Sequence, residues 1–204
     1  MPENLLPPIA DLQRTAQSLA MLDAILSPDW EYRYFSFNSG WASGQKMASM
    51  RDGSGDEWFI LFDDAGAAIK GFAHELAGDS SFLSEIQRQV PRDFSEFLNE
   101  PAFSMQHATF CLWRTHHDKT WNKVAGFSGD DGATQMVLQL TRGAPGYKEW
   151  AEGYYDIPVN LEAVSAIFAH QTLSPQLVFL LDQQADLHAV RADADEIGYP
   201  HTLT

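Results

Sequence analysis

Apolar residues recur at spacings of three and four from Ile9 through Leu12, Ala16, Leu19 and Leu22 to Leu26, and Ser27-Pro28 closes the run. This period predicts an amphipathic helix over 9–26 with one apolar stripe, which needs a sheet to cover. Extended patterns follow at once. Residues 30–37 (WEYRYFSF) are aromatic-rich, Asn38-Ser39-Gly40 has turn composition, and 46–50 form a second short run, predicting two antiparallel strands. Trp58 to Phe62 is apolar at every position, as suits a central strand covered on both faces.

The next hairpin can be solved by arithmetic. With Asp63-Asp64-Ala65-Gly66 as the turn, Phe62 opposes Ala67, and even positions on one strand share a face with odd positions on the other. One face then carries Trp58, Ile60 and Phe62 beside Ile69, Gly71 and Ala73, where small residues leave room for a helix. The other carries Glu57, Phe59 and Leu61 beside Lys70, Phe72 and His74, with His74 diagonal to Glu57 and within side-chain reach. Asp56 and Glu75 fall at the rim of the first face.

Beyond the hairpin, 82–88 and 92–99 read as two short helices broken at Val90-Pro91. Residues 110–113 and 135–140 read as two more strands, separated by a long glycine-containing polar loop over 114–134. Residues 146–155, 160–170 and 175–188 form a helical C-terminal third, followed by a loose acidic tail over 189–204. The expected fold class is α+β: a mostly antiparallel sheet of about six strands, with the N-terminal helix packed on it and a helical C-terminal third. At 204 residues, with 45% apolar and 12% aromatic positions, the chain fits one domain with a core of its own.

Charge changes the picture more than composition does. The chain has 28 acidic and 13 basic residues, a formal net charge of -15, which repels nucleic acid and anionic membrane at long range and would steer a basic protein partner. The lone cysteine, Cys111, lies in the apolar run Phe110-Cys-Leu-Trp113, predicting a buried thiol and a reducing, cytoplasmic setting. No basic n-region and no stretch of roughly 18 apolar residues occurs, so neither a signal peptide nor a membrane span is expected.

Two constellations could carry chemistry. In Arg114-Thr115-His116-His117-Asp118, imidazoles and a carboxylate could ligate a metal or move protons, though adjacent histidines point different ways and chelate poorly. His74 and Glu75 with Glu57 could orient an imidazole for general-base work. No G-x-S-x-G elbow accompanies them, and the glycines of 53–55 precede a strand, whereas phosphate loops precede a helix. Trp41 and Trp121 sit in predicted loops, where aromatics can anchor a partner.

The segments 18–25, 30–34, 47–50, 53–56, 71–75, 100–104 and 147–152 resemble a family of uncharacterised bacterial proteins over most of residues 12–182. That resemblance implies no activity. A second resemblance is to the SUKH superfamily, many of whose members are immunity proteins of toxin systems. It rests on Gly55-Asp56-Glu57-Trp58, on the hairpin running to His74, and on 90–98, which here follows the hairpin. It implies a protein-binding, immunity-like role. The expectation is therefore a cytoplasmic binding module without a cofactor, contacting a basic protein through Trp41, Asp56, Glu57, His74, Glu75, His116, His117 and Trp121. The alternative is a small hydrolase that uses His74 and Glu57, or a metal held by the His116-His117-Asp118 loop.

Overall fold

The structure, a computed structural model, describes residues 2–76 and 80–204. Its centre is a six-stranded antiparallel sheet, β1 Phe35–Ala42, β2 Gln45–Arg51, β3 Glu57–Phe62, β4 Gly66–Phe72, β5 Phe110–Thr115 and β6 Asn122–Lys123, with the strands adjacent in chain order. The fold is α+β, as the patterning predicts. The β3–β4 register is the one derived above, with Glu57 opposite Phe72 and Phe62 opposite Ala67. Asp63 holds the turn by accepting the Ala65 and Gly66 amides on Oδ1.

Both faces of the sheet are covered, which explains the uninterrupted apolar run from Trp58 to Phe62. Phe35, Phe37, Met50, Trp58, Ile60, Phe62, Ile69 and Leu112 line the first face under α1, Ile9–Leu26. Phe59, Leu61, Ala68 and Cys111 line the second, under α2, Ser80–Gln89, and α3, Ser95–Asn99, with Phe82, Ile86, Phe94, Phe97 and Phe103 completing that layer. The break at Val90-Pro91 falls between these helices, as expected. Each fully buried large apolar side chain contributes about 1.5–3 kcal/mol.

Several expectations are corrected. Helix α1 is not a one-stripe helix: from Ala16 to Ile25 every residue is buried, because the C-terminal helices close over its outer side. Its polar side chains there are paired. Ser18 Oγ donates to Ile167 O at 3.0 Å and Gln17 Nε2 to Ile197 O at 3.0 Å. The first strand begins at Phe35, after a 3-10 turn at Trp30–Tyr32, and runs through Asn38-Ser39-Gly40 with an irregularity before Ala42. The reversal lies at Ser43-Gly44, where Gly44 takes φ +74°.

Residues 135–140 are not a strand. Ala133–Met136 is a short helix, α4, and Leu138–Leu140 a 3-10 turn, which together bury Ala133, Met136, Val137 and Leu140. That spacing of three, four and seven is helical. The sixth strand is instead β6, inside the segment read as a loop. The C-terminal third contains α5 Gly143–Tyr155, α6 Leu161–Phe168, α7 Pro175–Phe179 and α8 Leu187–Ile197. Helix α8 replaces the loose tail. Asp186 caps it by accepting the His188 and Ala189 amides, and Val190, Ala194, Ile197, Tyr199 and Leu203 are buried in the main core. Among the described residues no helix is long and apolar enough to cross a membrane.

The small residue Gly71 admits an aromatic ring where a helix was expected. It lies opposite Phe110, whose ring covers it so closely that a Cβ there would come within 1.9 Å of the ring. Gly71→Ala is expected to lower stability by about 1–3 kcal/mol in urea denaturation, since the ring must leave its site. An unchanged midpoint would show that the ring has room to move.

Candidate functional site

The polar rim of the β3–β4 hairpin is two separate pairs. Asp56 Oδ1 accepts both the His74 backbone amide and His74 Nδ1 at 2.8 Å, while Glu57 bonds to Lys70, so His74 does not meet Glu57. Residue 74 has already left the strand in a turn, which swings its ring to the Asp52–Asp56 loop. That loop is held by Asp52, whose Oδ1 accepts the amides of Ser54, Gly55 and Asp56. The hydrogen bond to Asp56 raises the His74 imidazole above its ordinary value. In an NMR titration, Asp56→Asn is expected to return His74 to the ordinary range, and an unshifted midpoint would contradict the pairing. Glu75 is exposed beside it.

Sequence reasoning missed Lys70 as a feature. Its side chain is fully buried, with Nζ 2.8 Å from Glu57 Oε1 and 5.3 and 5.8 Å from the Phe59 and Phe72 ring centroids. Burial lowers its pKa against the pull of Glu57.

The 114–118 segment is a turn held from within. Asp118 Oδ2 accepts the Thr115 amide and hydroxyl at 2.8 Å, bonds that lower its pKa, and His116 and His117 are exposed. Among the described residues no three histidine, cysteine or carboxylate side chains converge as a metal would require. Cys111 is buried, and burial pushes its thiol up to about 12. Trp121 is buried with Nε1 donating to Pro7 O at 2.7 Å, and Trp41 belongs to β1, stacked on Phe103 at 5.8 Å. The two tryptophans assigned to loops are therefore packing residues.

The aromatic surface lies elsewhere. Trp30, which the patterning puts in the first strand, is 59% exposed, Tyr32 64% and Tyr154 45%, and all three line a cleft of about 460 Å³ at the start of β1. Their placement has local causes. The 3-10 turn after Asp29 lifts Trp30 and Tyr32 off the sheet, and α5 delivers Tyr154, stacked on Trp150 at 5.0 Å. Tyr34, 4.8 Å from Trp150, continues the wall. Ser36 and Ser49, opposite each other on β1 and β2, reach the cleft from the second face of the sheet, and Gly53 brings in the Asp52–Asp56 loop.

Two arginines line the cleft in different states. Arg33 is fully used: it chelates Asp193 at 2.8 and 2.9 Å and donates to Ser27 O and Pro28 O, tying the 3-10 turn to α8. Arg51 has its guanidinium 5.8 Å from the Trp30 ring and 5.4 Å from Phe59, and makes no ion pair among the described residues. It lies across the ladder from Glu57, but that carboxylate is taken by Lys70.

Behind the Tyr154–Tyr155 wall lies Asp23, fully buried on α1. Its Oδ2 accepts the Phe35 amide and its Oδ1 the Tyr147 hydroxyl, each at 2.7 Å. Burial pushes this carboxyl up to about 6, against those hydrogen bonds. Tyr155, on the cleft wall, has a buried hydroxyl whose pKa is raised first by that burial and then by the neighbouring Asp23. Compared with family models, with curated proteins and with solved structures, the chain matches none of them.

Proposed function

We propose that this protein is a binding module whose recognition site is the aromatic cleft at the start of β1. The observation that carries the reading is the exposure of Trp30, Tyr32 and Tyr154 around one concavity of about 460 Å³, a size ordinary for ligand pockets. Large aromatic faces left in water at a cleft are a cost to the free protein that an occupant would remove. The residues first considered for catalysis support the same reading: His74 is used by Asp56, and Glu57 by a buried lysine. Ligand-observed NMR with a panel of small aromatic and aliphatic compounds tests it. Aromatic members should bind the wild type and lose binding in Trp30→Ala. Equal binding to both proteins, or preference for the aliphatic members, would refute the cleft as the site.

A second reading, neutralisation of a basic protein partner, is favoured by the net charge of -15 and by exposed carboxylates such as Asp195 and Glu196 on α8. It predicts capture of one basic protein from native lysate, lost as salt is raised. Retention indifferent to salt would count against it.

A further inference from the structure

We propose that the cleft takes a small planar aromatic compound bearing one anionic group, a carboxylate or phosphate, with the ring against Trp30 and Tyr154 and the anion on Arg51. The inference rests on the cleft being a binding site and adds the class of its ligand.

The anionic requirement comes from Arg51. In a chain with 28 acidic residues against 13 basic ones, a lining arginine without a carboxylate partner among the described residues is out of keeping with its surroundings. Its natural neighbour across the ladder, Glu57, is bound to Lys70, so Arg51 has no ion-pair partner among the described residues. The Trp30 and Phe59 rings flank its guanidinium, limiting its freedom, and its N–H groups make no hydrogen bond among the described residues. A guanidinium so placed presents a planar fork matched to a carboxylate or phosphate.

The hydroxyls beside it complete the polar end. Ser49 is two residues from Arg51 on the same face of β2, and Ser36 is its partner on β1. Neither hydroxyl has a hydrogen-bond partner among the described residues, although Ser49 is buried and both line the cleft. Hydroxyls left unbonded beside a cation are donors waiting for an acceptor. Glu31 also lines the cleft and opposes an anion, but it is exposed to water, where its charge is screened by solvent and salt. The planar requirement comes from the wall itself: rings stack on rings in preference to branched aliphatic groups.

Calorimetric titration with three probes tests the proposal: naphthoate, its neutral analogue naphthamide, and the non-aromatic anion cyclohexanecarboxylate. Naphthoate should bind at least about tenfold more tightly than either of the others, the least that a charge-assisted hydrogen bond is worth. Arg51→Gln should reduce naphthoate to the level of naphthamide, whereas Arg51→Lys should keep part of the preference. Arg51 is exposed, so neither variant threatens the fold. Equal affinity for naphthoate and naphthamide, both lost in Trp30→Ala, would overturn the anionic requirement and leave the cleft reading standing. Naphthoate binding undiminished in Trp30→Ala, or no aromatic probe binding at all, would overturn both.

Discussion

Glu57→Gln is expected to destabilise the protein by about 3 kcal/mol, while Lys70→Met at the other end of the same ion pair should change stability by less than about 1 kcal/mol. The asymmetry follows from burial. The Lys70 side chain is completely enclosed, whereas that of Glu57 retains 24% of its exposure. Removing the carboxylate strands an ammonium between two rings, where it must either stay charged without a counter-ion or give up its proton. Removing the lysine leaves a carboxylate that water can reach, and methionine fills the slot between Phe59 and Phe72 with a flexible apolar chain. The double variant should resemble Lys70→Met alone, giving a coupling of about 3 kcal/mol in a denaturation cycle. Equal costs for the two single variants would show that the buried charge is not what holds Glu57 in place.

Asp23 should make stability fall with pH where most native carboxylates make it rise. Its folded pKa is raised to about 6 from the ordinary 3.8, so the folded state binds the proton more tightly than the unfolded state. This contribution is fully present below about pH 4, declines between about 4 and 6, and is gone above that. The difference is about 3 kcal/mol over the window, since a tenfold difference in proton affinity is worth about 1.4 kcal/mol. Asp23→Asn removes the titration and can still accept one of the two buried hydrogen bonds. The free-energy gap between wild type and Asp23→Asn is therefore expected to move by about 3 kcal/mol in favour of the variant as pH rises from 4 to 7. A gap independent of pH would mean that Asp23 titrates near its ordinary value, with polar groups compensating its burial.

The framework of the fold is legible in the sequence because it depends on period. Strand β3 is apolar from Trp58 onward because helices cover both faces, and a four-residue turn between Phe62 and Ala67 is enough to set the register of the hairpin. Composition misleads where it competes with period: Ala133, Met136, Val137 and Leu140 follow a helical spacing inside a run whose valine and leucines look like a strand. The expectation of a loose tail fails for a similar reason, since the acidic residues of 186–196 conceal an apolar stripe through Val190, Ala194 and Ile197.

The candidate site is less legible because it is made by long-range contacts. Asp56 and His74 are near the predicted place, but their pairing depends on a turn at residue 74 that strand alternation does not contain. Nothing local marks Arg51 as unpaired: that requires knowing that Lys70 reaches diagonally to Glu57. A signal does exist in Trp30-Glu-Tyr-Arg-Tyr34. Read as a strand, it would put three large aromatics on one face and two charges on the other at a sheet edge, whereas Pro28-Asp29 before it suits the start of a tight helical turn.

The cleft as the recognition site is tested most directly by NMR of the tryptophan indole N–H groups while naphthoate is added. The Trp30 signal should shift, while those of Trp58 and Trp121, whose indoles are bonded to Met136 O and Pro7 O in the interior, should stay in place. Saturable binding that leaves the Trp30 signal unmoved would place the ligand elsewhere and contradict the account.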